Sequence, residues 1–301
     1  MPDDPTTAQT PARDGLPALI VMCVLAALSL VVAFLGATPA HVSSAELLGQ
    51  SRAPGGAAFI ASHRGGGATA PENTLPAISA ALAAGYDYVE VDVALTADRV
   101  PVLLHDATVD RTTDGHGRIA DLTLAEVRAL DAGAWFDSRF AGTRIPTLVE
   151  FLDLLDASGH RAVVELKGEW DAPAAASVVA EIDARGLGQR VVLASFDARS
   201  LALAQAASEV IPSLIILKRL PDDVVRAVGE AGARGIVVDR RAVLDRPDVV
   251  DELHAAGMRV VVYTLNKDSQ WDAVTALGVD GIVTDDPGTL RQWQQAAAGH
   301  G

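Results

Sequence analysis

The stretch AAFIASHRGGGATAPENT, residues 57–74, decides the fold around which the rest of the chain is arranged. Its apolar first part predicts a buried strand over Phe59–Ser62. The strand ends on a His-Arg pair, and three glycines follow, which lets the backbone take positive φ angles and approach a ligand closely. A helix is predicted next, over Leu75–Ala84. The pattern indicates an anion-binding site, but an ordinary loop has the same composition, so the interpretation depends on what else reaches this point.

Composition and charge limit the class of protein. The chain has 301 residues, enough for one large α/β domain or two smaller ones. Its formal net charge of −15 leaves no basic excess for a nucleic-acid backbone, and it disfavours adsorption to anionic lipid head groups. Any phosphate must therefore be met by a local cation or a metal ion. Cys23 is the single cysteine, so no intramolecular disulfide can form.

An uncharged apolar run occupies residues 16–37, between an N-terminal tail of residues 1–15 and a linker of residues 38–56. The run is long enough to cross a hydrocarbon core of about 30 Å. It is also longer than the apolar part of most signal peptides, so a transmembrane signal anchor is favoured over a cleaved signal peptide. Arg13 is the only cation before the run, and by the positive-inside rule it favours an N-terminus on the cytoplasmic side. The globular part is then expected on the extracytoplasmic side of the cell membrane, or secreted if the segment is cleaved.

Short β-branched runs alternate with Ala- and Leu-rich stretches over the rest of the chain. Such alternation predicts βα units around a parallel sheet. A (β/α)₈ TIM barrel over residues 57–293, followed by a tail of residues 294–301, is the predicted α/β architecture, and an open doubly wound sheet is the alternative. The predicted strands are Phe59–Ser62, Tyr88–Val93, Ala162–Leu166, Arg190–Ser195, Ser213–Leu217, Gly235–Val238, Arg259–Thr264 and Gly281–Val283.

A hairpin and a long polar segment follow the second predicted strand. The chain leaves through Asp92–Leu95 and returns through Val100–His105, which would bring His105 back near Asp92. We interpret residues 97–146 as an insertion into the barrel pattern. Loops at the carboxyl face of a barrel usually build or cover the functional site.

Three carboxylates are expected in the mouth of the barrel. Glu90 and Asp92 are two residues apart on the second strand and face the same side, and Glu165 lies near the end of the third. Three such groups in one place raise each other's pKa unless a cation lies among them. Carboxylate oxygens are hard ligands, so the sequence predicts a divalent cation, Mg²⁺ or Ca²⁺.

Two histidines and two cations reach the same face. His63 ends the first strand and His105 ends the returning hairpin, and a pair of imidazoles can divide acid and base work near neutral pH. Arg64 and Lys167 are the local cations that can neutralise an anionic oxygen as its charge builds.

These residues lie inside longer motifs that resemble the glycerophosphodiester phosphodiesterase family. The motifs are HRGGGATAPENTLPAI, YVEVDVALTADRVPVLLHDATVDRTTDGHGRIADLT, LDAGAWF, FAGTRIPTLVEFL, VVELK, VLASF and DGIVTDDP, and the resemblance covers residues 57–290. It implies a (β/α)₈ barrel that hydrolyses glycerophosphodiesters to sn-glycerol 3-phosphate and an alcohol with a divalent cation.

The resemblance also implies roles for the matching positions, and these agree with the roles argued above from the chemistry of the residues. These are His63 and His105 as the acid–base pair, Glu90, Asp92 and Glu165 as metal ligands, and Arg64 and Lys167 as phosphate contacts. By analogy with the family, the 2-hydroxyl of the substrate's glycerol attacks phosphorus and gives a cyclic phosphate that water then opens. No protein nucleophile is needed on this route.

One departure from the family pattern bears on the substrate. The family often has Trp-Thr-Val-Asn where this chain has Tyr263-Thr264-Leu265-Asn266, so we expect Tyr263 to contact a different head group. A lysophospholipase D-type activity on membrane lipids is an alternative, with Trp135-Phe136 and Phe140 as an apolar lid. A catalytically inactive phosphate-binding protein is a third hypothesis, but it predicts a missing histidine or carboxylate, and none is missing.

Overall fold

Eight apolar, β-branched runs form parallel strands that close into a barrel. The computed structural model describes residues 47–299. Hydrogen bonds order the strands β1-β9-β8-β7-β6-β5-β4-β2, and β1 also pairs with β2, so the sheet has no open edge among its parallel strands. The predicted barrel is confirmed, and the open-sheet alternative is wrong. The strands are β1 Phe59–Ser62, β2 Tyr88–Leu95, β3 Pro101–Leu103, β4 Arg161–Leu166, β5 Val191–Ser195, β6 Ser213–Leu217, β7 Gly235–Asp239, β8 Arg259–Tyr263 and β9 Gly281–Thr284.

Helices follow most of the parallel strands, and aspartates begin several of them. The side chains of Asp171, Asp197, Asp223 and Asp286 each accept a backbone N–H in the first turn of the helix that they precede, so part of the acidic excess caps helices. The helices are α1 Leu75–Ala84, α2 Leu124–Val127, α3 Leu148–Ser158, α4 Ala172–Ala184, α5 Ala198–Ala207, α6 Val224–Glu230, α7 Arg240–Asp245, α8 Val249–Ala255, α9 Asp268–Thr275 and α10 Pro287–Ala298.

The core has an outer and an inner layer. The outer layer lies between strands and helices, and Trp271 is fully buried there. The inner layer fills the barrel with side chains such as Phe59 and Val192. Leu47 and Leu48, which the sequence analysis placed in the linker, belong to this inner layer. The backbone carbonyl of Leu47 accepts hydrogen bonds from Tyr88 and Arg161, at the amino ends of β2 and β4.

The β2–β3 hairpin forms as predicted. Val93 pairs with Leu103 and Leu95 with Pro101 in antiparallel register. The Leu104 backbone N–H donates to the Asp92 carbonyl at 3.1 Å, so the returning strand delivers the next residue to the barrel mouth. From there to α3 the chain contains α2 and two short 3₁₀ turns. The boundaries of the predicted insertion, residues 97–146, stay a prediction.

The predicted transmembrane segment, residues 16–37, lies outside the described residues. Between Leu47 and Gly299, no helix combines the length and apolar character that crossing a membrane requires.

Candidate active site

Three carboxylates on two neighbouring strands, β2 and β4, converge in the barrel. Glu90 and Asp92 project to the same face of β2, and Asp92 lies beside Glu165 of β4 in the strand register. One ligand oxygen from each residue lies within 4.8 Å of the other two. The barrel therefore brings the three predicted ligands together, while their role as ligands stays a prediction.

Burial and crowding shift the charge states of this cluster. Burial and the charge of Asp92 raise the pKa of Glu90 to about 8. The same two causes raise the pKa of Glu165. Burial also opposes ionisation of Asp92, but the charges of Lys167 and Arg64 outweigh it and lower the pKa of that carboxyl. A further cation among the three groups is needed before all of them ionise readily.

The donor set suits a hard divalent cation. All three donors are carboxylate oxygens, the ligand type that Mg²⁺ and Ca²⁺ prefer. Asp92 Oδ1 is buried and accepts no hydrogen bond within the described part of the chain, and its ion pair with Lys167 Nζ is 3.4 Å long. A buried oxygen without a hydrogen-bond partner requires an explanation, and a bound ion is one. The residues present therefore fit the predicted cation.

The Nδ1 atom of each predicted catalytic histidine contacts an aspartate side chain. His63 Nδ1 lies 2.5 Å from Asp285 Oδ1, and His105 Nδ1 lies 2.7 Å from Asp106 Oδ1. These contacts orient the two rings and leave the Nε2 atoms as the ones that can meet a substrate. Both histidines line one cavity together with Glu90.

The two imidazoles differ in their affinity for a proton. Burial opposes protonation of His63, but the hydrogen bond to Asp285 and the charge of Glu90 outweigh it and raise the pKa of His63. Burial lowers the pKa of His105, and the attraction of Asp92 does not reverse it. Near neutral pH, His63 therefore holds a proton more readily than His105. A pair with this difference can supply one acid and one base.

Lys167 and Arg64 provide positive charge beside the carboxylates. Lys167 Nζ lies 2.8 Å from Glu165 Oε1, and Arg64 Nε lies 3.3 Å from Asp92 Oδ2. Arg64 has a φ angle of 53°, a left-handed conformation that is strained for a residue with a side chain. Its backbone N–H donates to Glu90 Oε2 at 2.8 Å, so this conformation also orients a carboxylate of the cluster.

Asn73 is a residue of the site that the sequence analysis missed. Its Nδ2 donates to Asp92 Oδ2 at 2.8 Å, and its Oδ1 accepts the Asp92 backbone N–H at 3.0 Å. Its φ angle of 55° is one that asparagine adopts more readily than most residues. The available signal was its place in the Pro-Glu-Asn-Thr turn, which the sequence analysis treated only as the entry to α1.

Ion pairs connect the loop that follows His63 to the segment that follows His105. Arg111 Nη1 and Nη2 donate to the two carboxylate oxygens of Glu72 at 2.7 and 2.8 Å, and its Nε donates to Asp106 Oδ2 at 2.6 Å. Glu72 also accepts from Arg64 at 2.7 Å. Burial opposes ionisation of Asp106, but Arg111 and His105 lower the pKa of that carboxyl to about 2. Arg111 and Glu72 were not among the predicted site residues, because no local pattern indicates a pair 39 residues apart.

A cavity of about 170 Å³ extends from this mouth into the barrel. Tyr263 lines it beside Phe196, with the two rings edge to face and their centroids 6.3 Å apart. Phe136 instead contacts Trp135 and Phe140 edge to face, and none of the three lines the cavity. The described residues therefore do not support the apolar lid that the lysophospholipase alternative requires.

Comparison with known proteins agrees with this geometry. The model of the glycerophosphoryl diester phosphodiesterase family matches residues 63–289. A glycerophosphodiester phosphodiesterase from Caldanaerobacter subterraneus subsp. tengcongensis is 32% identical over 77% of this chain and 96% of its own length.

Solved structures give the same result. A phosphodiesterase from Oleispira antarctica in complex with the product sn-glycerol-3-phosphate is similar, with a TM-score of 0.72, 28% identity and coverage of 79% of this chain and 96% of that one. A glycerophosphodiester phosphodiesterase from Agrobacterium tumefaciens has a TM-score of 0.68 and 30% identity, covering 78% of this chain and 100% of its own. The chain therefore belongs to the glycerophosphoryl diester phosphodiesterase family and is a phosphoric diester hydrolase.

Proposed function

We propose that this enzyme hydrolyses glycerophosphodiesters to sn-glycerol 3-phosphate and an alcohol. The main observation in support of this activity is a single cavity. Both histidines line it, together with Glu90 and Glu165 of the carboxylate cluster and the Lys167 ammonium. The product complex of the Oleispira antarctica relative supports the same substrate class. A phosphodiester needs charge neutralisation, a base and an acid, and this cavity contains groups suited to each.

We propose His105 as the base and His63 as the acid of the first step. His105 Nε2 takes the proton of the glycerol 2-hydroxyl as that oxygen bonds to phosphorus. The bond from phosphorus to the alcohol breaks, and His63 Nε2 gives its proton to the leaving oxygen. In the second step the histidines exchange roles, water opens the cyclic phosphate, and both return to their starting protonation states. Arg64 and Lys167 bind the phosphoryl oxygens throughout, and Tyr263 contacts the organic part of the substrate.

Glu90, Asp92 and Glu165 would hold the divalent cation, Mg²⁺ or Ca²⁺. Bound there, the cation would neutralise charge on the phosphoryl oxygens. We expect either ion to raise the melting temperature of EDTA-treated protein, because an ion that binds only the folded state stabilises it. Calorimetric titration of Glu90→Gln should show weakened ion binding, whereas Glu181→Gln on the surface of α4 should bind as the parent does. Equal affinity in the parent and in Glu90→Gln would contradict the ligand assignment.

Release of sn-glycerol 3-phosphate tests the activity itself. Purified protein is incubated with glycerophosphoglycerol, glycerophosphoethanolamine and glycerophosphocholine, with EDTA and then with Mg²⁺ or Ca²⁺ restored. We expect turnover that EDTA abolishes, and a loss of at least about a hundredfold in His63→Ala and in His105→Ala. His116→Ala, which changes an exposed histidine that does not line the cavity, is the control. Absence of turnover with all three substrates would contradict the proposed function.

We further propose that the barrel acts outside the cytoplasm, anchored in the cell membrane through residues 16–37 or secreted after cleavage. The length of the apolar run and the position of Arg13 support this. Protease added to intact cells and to lysed cells should digest the barrel equally. Digestion only after lysis would contradict this localisation.

A further inference from the structure

We infer that this enzyme favours glycerophosphodiesters whose alcohol carries a second anionic group, and that Phe196 and Lys218 form the subsite for that group. The inference rests on the proposed function and names a narrower substrate class for the same site. It concerns the part of the barrel mouth where β5 and β6 end.

The ring of Phe196 lines the cavity within cation–π distance of two ammonium groups. Phe196 follows β5, lines the cavity and is 41% exposed, which is unusual for a phenylalanine. Lys167 Nζ lies 5.7 Å from the centre of its ring, and Lys218 Nζ, directly after β6, lies 5.6 Å from the same point. Both distances fall within the range of cation–π contacts. The ring therefore connects the proposed phosphate-binding lysine to a second ammonium group at the mouth.

The two lysines differ in their carboxylate partners. Lys167 pairs with Glu165 and Asp92. The contact that the structure gives Lys218 is the Phe196 ring, and no carboxylate of residues 47–299 forms an ion pair with it. Asp239, at the end of neighbouring β7, accepts the Arg241 backbone N–H at 2.8 Å as the cap of α7. The charge of Lys218 is therefore available to a ligand.

The charge distribution of the substrate indicates which kind of head group can pair with the Lys218 ammonium. Arg64 and Lys167 already lie where the reacting phosphate is proposed to bind, and the glycerol beside that phosphate is neutral. A further cation along the mouth is matched only by an anion on the alcohol side. An exposed aromatic ring alone would suit a quaternary ammonium such as choline. Because Lys167 is paired with carboxylates, the ammonium group of Lys218 is the charge beside the ring that opposes a cationic head group and attracts an anionic one.

Three soluble substrates separate these charge classes. Bis(glycerophospho)glycerol carries a second phosphate, glycerophosphoglycerol has a neutral alcohol, and glycerophosphocholine has a cationic one. We expect kcat/KM of the full-length enzyme to fall in that order, after correction for the two equivalent diesters of the first substrate. The preference should shrink as salt is raised from about 0.01 M to 0.15 M, because an exposed charge is screened.

Lys218→Gln tests the subsite directly. We expect the ratio of kcat/KM for the anionic substrate to that for glycerophosphocholine to fall about fivefold, the size of an exposed ion pair. Lys218→Arg should restore the ratio. Arg219→Gln removes a neighbouring exposed charge and should leave the ratio at the parent value.

Four results would overturn the inference: a parent preference for glycerophosphocholine, an unchanged ratio in Lys218→Gln, an equal fall in Arg219→Gln, or no restoration in Lys218→Arg. None of them contradicts the proposed function, since all require turnover. Failure to hydrolyse any of the three substrates contradicts the proposed function instead.

Discussion

The proposed roles of acid and base depend on the individual residues that surround the two catalytic histidines. His63 and His105 are the same side chain with the same Nδ1 contact to an aspartate, yet the pKa of His63 is raised and that of His105 is lowered. Burial opposes the charged form of both rings. The outcome differs because Asp285 and Glu90 together outweigh burial at His63, whereas Asp92 and Asp106 do not outweigh it at His105.

A bell-shaped pH profile follows from these two shifts. Activity requires neutral His105 and protonated His63, so kcat/KM should rise with pH through the lowered pKa of His105 and fall through the raised pKa of His63. Asp285→Asn removes the negative partner of His63, which lowers its pKa. We therefore expect the alkaline limb to move to lower pH and the acid limb to stay in place.

Asp286→Asn is the matched control for this profile. Asp286 is the neighbouring carboxylate, and its side chain accepts the Thr289 backbone N–H at the start of α10 instead of contacting a histidine. Its substitution should leave both limbs at the parent pH. An Asp285→Asn profile with an unmoved alkaline limb would contradict the assignment of His63 as the acid.

At the scale of the element, the segment between β3 and α3 supplies the residues that hold His105. Asp106 binds the His105 ring, and Arg111 binds Asp106 and Glu72. Glu72 belongs to the loop after β1, so this bridge connects two loops that leave different strands. The arrangement supports the view that residues 97–146 build one side of the site and do more than connect β2 to the next helix.

Arg111→Ala should reduce kcat without unfolding the barrel. The substitution removes charged hydrogen bonds to two carboxylates, which frees Asp106 and loosens the His105 ring. We expect kcat to fall about tenfold to a hundredfold and KM to change less. Steady-state kinetics and circular dichroism measure the two effects.

Arg139→Ala is the comparison for Arg111→Ala. Arg139 lies on the same segment, is 66% exposed in its side chain and pairs with Asp137 at 3.7 Å. It should keep the parent kcat. A parent-like kcat in Arg111→Ala, or an equal loss in Arg139→Ala, would contradict the proposed bridge.

At the scale of the whole molecule, residues that precede the first strand cover the barrel at the amino ends of its strands. Leu47 and Leu48 are almost fully buried among the inward-facing side chains of the strands. Their burial removes apolar surface from water at the end of the barrel opposite the proposed site.

Leu48→Ala should therefore destabilise the entire barrel. Removing a buried leucine side chain costs about 2–5 kcal/mol of unfolding free energy through lost burial and the cavity left behind. Urea denaturation followed by circular dichroism measures the loss. Val149→Ala on the exposed side of α3 should stay near the parent, since that side chain is 38% exposed. Coincident curves for Leu48→Ala and the parent would show that the barrel does not depend on this residue.

Local patterns predicted most of the secondary structure. The eight parallel strands agree with the predicted ones to within two residues, because fully buried strands leave runs of β-branched residues that polar segments interrupt. The helix predicted over Leu75–Ala84 is confirmed as α1, whereas the short helix α2, Leu124–Val127, lies in a segment for which no helix was predicted. A helix as short as α7, Arg240–Asp245, depends for its stability on packing against the barrel.

The sequence by itself determined which chemical groups stand at the carboxyl ends of the strands, because strand alternation and the barrel order place them there. Only the tertiary structure decided their partners. Asp285 meets His63 because β9 pairs with β1, and Asn73 holds Asp92 because the turn after β1 folds back over β2. These contacts join residues far apart in sequence, so no local pattern encodes them, and barrel closure creates them.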